Sequence, residues 1–102
     1  MAPMADTANI SDRFYTQSAD LLALVGNSAR LEILNHILDN ETSVGTLCQA
    51  LGLSQSATSQ HLSKLRQAGL VNTRRNAQTI LYSSTSVNVR KILGLLDKMV
   101  TG

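Results

Sequence analysis

Two residues constrain this chain more than any others. Gly52 and Leu53 are all that separates one short helical segment, "SVGTLCQALG", from another that opens at Ser54. In the first, Ser43 can cap the N-terminus, Val44, Leu47 and Leu51 face inward, and Gly52 is the stop. In the second, "SQSATSQHLSKLRQAG", Ser54 is the cap and Gly69 ends the helix in a left-handed position. Two short helices joined by so tight a turn can only pack as a helix-turn-helix.

The second helix has an unusual face. Thr58, Leu62 and Leu65, with Ala57 and His61 beside them, form its buried stripe. Gln55, Ser56, Ser59, Gln60, Ser63 and Gln67 fall on the other side at spacings of three and four. A solvated helix face ordinarily carries Glu and Lys pairs, and this one has none. Amides donate and accept together, and hydroxyls bond to several base edges. Short polar side chains therefore suit a helix that enters the major groove of double-stranded DNA.

The charge distribution agrees. Net charge is only +2, but six of the seven acids lie within residues 1–41. From Thr42 to Leu96 there is no acid, and the interval holds Lys64, Arg66, Arg74, Arg75, Arg90 and Lys91. A field of one sign over half a domain attracts polyanions.

Around the central pair the remaining elements read as follows. Residues 1–10 are expected to be a flexible tail, and 11–102 a single domain, the size that 102 residues support. A first helix starts at Ser11 and ends near Val25 on Leu21, Leu22, Leu24 and Val25. Asn27 or Ser28 caps a second, with Leu31, Leu34, Ile37 and Leu38 at helical spacing, and Asn40 can end it. After Gly69 the period changes from helical to alternating. Val71 and Thr73, then Ile80 and Tyr82, predict a two-stranded hairpin with a polar turn "RNAQ" and two arginines near its tip. Ser84 or Ser86 caps a last helix carrying Val89, Ile92, Leu93, Leu96, Met99 and Val100. The predicted fold is mainly α with a small β-hairpin. The order α-α-α-α-β-β-α is that of a winged helix-turn-helix.

On this basis Gln55, Ser56, Ser59 and Gln60 are the candidate base readers, because the N-terminal half of such a helix enters the groove. Ser63 and Gln78 join them at the interface. Lys64, Arg74 and Arg75 are candidate phosphate contacts that fix register. His61 has two readings, a backbone phosphate contact and a half-buried residue under the wing. Tyr82 reads as wing packing, since only three aromatic residues exist in the chain. The last helix is too apolar for a single stripe. A homodimer that buries Leu21, Leu22 and Val25 with Val89, Ile92, Leu93, Leu96, Met99 and Val100 is expected.

The run "LCQALGLSQSATSQHLSKLRQAGLVNTRR…QTILYSS", with "NSARLEIL" upstream, resembles the ArsR/SmtB type of bacterial winged-helix regulator, and within it the NolR/HlyU-like branch. The similarity covers roughly residues 20–100. It implies a homodimer built from the first and last helices, and a sequence-specific transcriptional regulator, expected to be a repressor, on a near-palindromic operator. Members of this family commonly sense metals, metalloids or reactive sulfur, and the residues for each are missing here. Ser43 and Gly45 stand where the metalloid type has cysteines, leaving Cys48 alone. Asp97 lacks the histidine partner that the zinc type needs in the last helix. Asn35 and Thr101 occupy the dithiol positions. No metal and no cofactor are expected.

Two alternatives remain beside this reading. One is a thiol-responsive regulator using Cys48, whose blander role is a small core residue. The other is a winged-helix protein-interaction module without DNA binding. An enzyme is not expected, since no nucleophile–base pair, carboxylate pair or phosphate-cradling glycine loop occurs. The N-terminus lacks a signal pattern and no run is long enough to span a membrane, so a cytoplasmic location is expected.

Overall fold

The computed structural model describes residues 8–102, with side chains from residue 11 onward. Five helices and three strands follow one another: α1 Ala8–Val25, α2 Ser28–Ile37, β1 Thr42–Ser43, α3 Val44–Leu51, α4 Gln55–Gln67, β2 Asn72–Asn76, β3 Thr79–Ser83 and α5 Val87–Thr101. The architecture is a mainly helical winged helix-turn-helix. Of the segment expected to be a tail, residues 1–7 lie outside the described residues. Residues 8–10 instead belong to α1, which starts before the Ser11 cap.

The helix starts follow from their caps. The side chains of Asn27, Ser43, Ser54 and Ser86 each accept the backbone N–H three residues on, satisfying one of the donors a helix start leaves free. Ser86, not Ser84, therefore caps α5. Gly52 ends α3 at φ 69° and Gly69 follows α4 at φ 79°. Both are left-handed positions that glycine adopts without steric cost.

The core is drawn from every helix. Val25 of α1, Ile33, Leu34 and Ile37 of α2, Leu47 of α3, Leu62 and Leu65 of α4 and Val89 of α5 are buried with Leu70 and Val71. Ile33 was not part of the expected α2 stripe, yet it is 0% exposed. Val25 and Val89, expected at the dimer surface, lie inside the subunit's own core, at 5% and 1% exposure.

The wing has a third strand. β1 pairs antiparallel with β3 through Thr42↔Tyr82 and Ser43↔Leu81, so the sheet order is β1-β3-β2. A two-residue strand carries no readable alternation, which is why only the hairpin was legible. Ser84 knots the pieces together. Its N–H donates to the Ile37 carbonyl at 2.9 Å and its hydroxyl to the Leu70 carbonyl at 2.7 Å, while its own carbonyl accepts from Asp39 at 2.8 Å. This buried serine joins the end of α2, the strand entry and the approach to α5.

Candidate nucleic-acid interface

The side of α4 away from the core carries the expected polar set. Gln55, Ser56, Ser59, Gln60, Ser63 and Lys64 are all exposed, while Thr58, Leu62 and Leu65 are buried beneath them. An open cleft of ≈ 390 Å³ separates the first half of α4 from the wing, with Gln55 and Ser59 on one wall and Gln78, Ile80 and Tyr82 on the other. Ser43 and Gly45, at the start of α3, also line it.

Alternation along β2 and β3 divides the two wing arginines. Tyr82 packs against the core, and Ile80 lies on the same face two residues earlier. Arg75 pairs with Ile80 and therefore shares that cleft-side face, whereas Arg74 pairs with Leu81 on the other. Arg74 is also engaged. Its Nε and Nη2 donate to the two carboxylate oxygens of Glu41 at 2.8 and 2.7 Å, a bidentate match of guanidinium and carboxylate. The hydrogen bonds from Arg74 hold the Glu41 carboxyl below its ordinary value and keep the Arg74 guanidinium protonated. The two arginines expected to act alike thus have different surroundings. Neither lies in the turn itself, which is Ala77–Gln78; both lie within β2.

The second ion pair among the described residues joins Arg90 of α5 to Asp39. The two acids of the α2–β1 segment thereby occupy two of the cations in the acid-free interval. Lys64, Arg66, Arg75 and Lys91 are not part of either pair, and all four are exposed.

His61 is half-buried beside α2. Its Nδ1 accepts from Arg30 Nε at 3.1 Å. Burial first, then the charges of Arg30 and Lys64, push its pKa below the ordinary value for an imidazole. Cys48 is half-buried between α3 and α4, where its thiol donates to the Thr58 hydroxyl at 3.4 Å. Thr58 donates in turn to the Ser54 carbonyl at 2.8 Å. Among the described residues no three His, Cys, Asp or Glu side chains come together, and no helix is long and apolar enough to cross a membrane.

Residues 27–73 match the family described as bacterial regulatory protein, arsR family. The nodulation protein NolR of Rhizobium meliloti is 56% identical over 80 residues, spanning 78% of this chain and 66% of that protein. The transcriptional activator HlyU of Vibrio cholerae is 52% identical over 79 residues, or 78% of this chain and 73% of that one. The crystal structure of NolR from Sinorhizobium fredii superposes with a TM-score of 0.86 at 46% identity, covering 98% and 97% of the two chains. The chain belongs to the arsR family. It sits with NolR and HlyU in that family and is a DNA-binding transcriptional regulator. The fold is shared more distantly with Mb0332 of Mycobacterium bovis, a homodimeric winged helix-turn-helix DNA-binding domain. That match has a TM-score of 0.78 and 25% identity, and covers 99% and 91% of the chains.

Proposed function

We propose that this arsR-family regulator binds a near-palindromic operator as a homodimer and represses transcription by occupying it. The observation that carries the reading is the outer face of α4, which is polar, acid-free and set beside a wing across an open cleft. Gln55, Ser56, Ser59 and Gln60 read base edges; Ser63, Lys64 and Gln78 contact the backbone with Arg75. Arg74, held by Glu41, braces the wing instead of touching phosphate. His61 stands behind the reading face. Repression needs no surface beyond the reader and the dimer helices, because an occupied promoter excludes polymerase. The work is done where the genome lies, in the cytoplasm, and it is binding without catalysis.

Dimerisation is supported by apolar surface on two helices. Leu22 of α1 is 68% exposed, and Met99 and Val100 of α5 are 71% and 80% exposed. Leu21 and Leu95 are exposed beside them, and Ile92, Leu93 and Leu96 are half-buried. Phe14 and Tyr15, which stack edge to face on α1 with ring centroids 5.3 Å apart, extend the same helix and were not among the expected contacts. Apolar area left this open on a small domain marks an interaction surface. A twofold dimer presents two α4 helices to successive major grooves.

Selection from random duplex DNA with the reduced protein tests this. The expected product is an inverted repeat with half-site centres about one helical turn apart. A pool that stays random, with binding that only tracks salt, would reject the α4 face as a reader.

A further inference from the structure

Arg30 makes contacts that neither the core nor the α4 reading face requires. Its Nη1 donates to the Leu24 carbonyl at 2.9 Å, near the end of α1, and its Nε donates to His61 Nδ1 at 3.1 Å, on α4. One planar guanidinium thereby spans α1, α2 and α4. We propose that Arg30 is a positioning residue for operator binding, a strut that ties the recognition helix, through His61, to the helix used for dimerisation. The proposal rests on the homodimeric DNA-binding reading above.

The chemistry sets its sign. A guanidinium only donates, so His61 Nδ1 must be unprotonated and the imidazole neutral, with its proton on Nε2. Protonating His61 removes the acceptor and places a second cation against Arg30. The charged groups acting on the ring are Arg30 from α2 and Lys64 from its own helix, both cationic; α1 contributes the Leu24 carbonyl, held by the same guanidinium. Every charge acting on His61 thus favours its neutral form. Gln60 precedes His61 in the chain, so a shift of the ring's backbone moves a base reader. A histidine that simply touched phosphate would do the opposite, since the imidazolium binds an anion better than the imidazole.

The test has two arms. In the DNA-free protein, long-range nitrogen–proton NMR at neutral pH should show His61 with its proton on Nε2 and Nδ1 as acceptor. Arg30→Lys, which keeps the charge but cannot fork to both partners, should lose that signature. In the second arm, affinity for the duplex enriched by selection is followed from about pH 7.5 down to about pH 5.5, across the histidine range. The wild-type protein should weaken about two- to fivefold more than His61→Asn, with the loss concentrated at the acid end of that range because the His61 pKa lies below the ordinary imidazole value. Asn keeps an acceptor at the Nδ1 position and does not titrate. Thermal melts of each variant separate altered positioning from unfolding. Parallel profiles for the wild-type protein and His61→Asn would overturn the proposal, as would tighter binding in acid or a proton on Nδ1. If selection enriches no duplex, the operator reading itself fails and the proposed role falls with it. The NMR arm would still report whether the strut exists.

Discussion

Single side chains decide which part of the interface reads and which part holds. Gln55→Ala and Gln60→Ala should each cost about 1–3 kcal/mol on the operator and relax preference at one base pair, as expected when a bidentate amide contact is lost. Competition binding against operators mutated at single positions measures this, and equal weakening on random duplex would contradict it. The wing arginines should behave differently from each other. Arg75→Ala is expected to weaken binding to every duplex and to lower the salt slope by about one unit. Arg74→Ala should leave that slope unchanged, because Glu41 already occupies the guanidinium. Sequence reasoning grouped the two arginines because they are adjacent in the chain. Because both lie within β2 rather than in a turn, alternation puts them on opposite faces, and the pairing with Leu81 and Ile80 shows which face each takes. Glu41 adds a pH dependence of its own. Its folded-state pKa is lowered, so its contribution is present above the ordinary carboxylate range and fades as pH falls through the lowered value.

At the level of elements, the helix-turn-helix was almost wholly readable. Caps at Ser43 and Ser54, the stop at Gly52 and the stripe of Thr58, Leu62 and Leu65 all stand where periodicity put them. What escaped was either short or long-range. β1 has two residues, and Ser84 looked like a helix cap because its partners, Ile37 and Leu70, are distant in sequence. Val25 and Val89 were indistinguishable by pattern from the exposed apolar residues on their helices. Periodicity shows that a face is apolar and not what covers it. Leu65, at 0% exposure, anchors α4, and Leu65→Ala should lower unfolding stability by about 2–5 kcal/mol. Chemical denaturation would measure it. Cys48→Ser replaces one hydroxyl-bonded group by another beside Thr58. The wild-type protein and this variant should bind the operator equally under both reducing and oxidising conditions; loss of binding by the oxidised wild-type protein, with the variant unaffected, would make Cys48 a sensor.

For the whole molecule, DNA affinity and subunit association should be linked. A second chain that covers Leu22, Met99 and Val100 removes exposed apolar surface and fixes the spacing of the two α4 helices. A carboxylate placed there, as in Val100→Glu, should shift sedimentation toward monomer while leaving the helical signal intact. Binding to a full inverted repeat should then fall toward that of a half-site. An unchanged dimer would move the interface away from the end of α5.

The buried Ser84 has a further consequence for how the molecule opens. Its amide and that of Asp39 are bonded to each other's neighbourhood at the meeting point of core, strand and last helix. All five residues of β2, by contrast, are exposed. In deuterated solvent, the protons of β2 should exchange through small local fluctuations, whereas those of Ser84 and Asp39 should wait for the entire subunit to unfold. A wing that breathes on a locked hinge could adapt to uneven backbone geometry without loosening the helix that reads the bases.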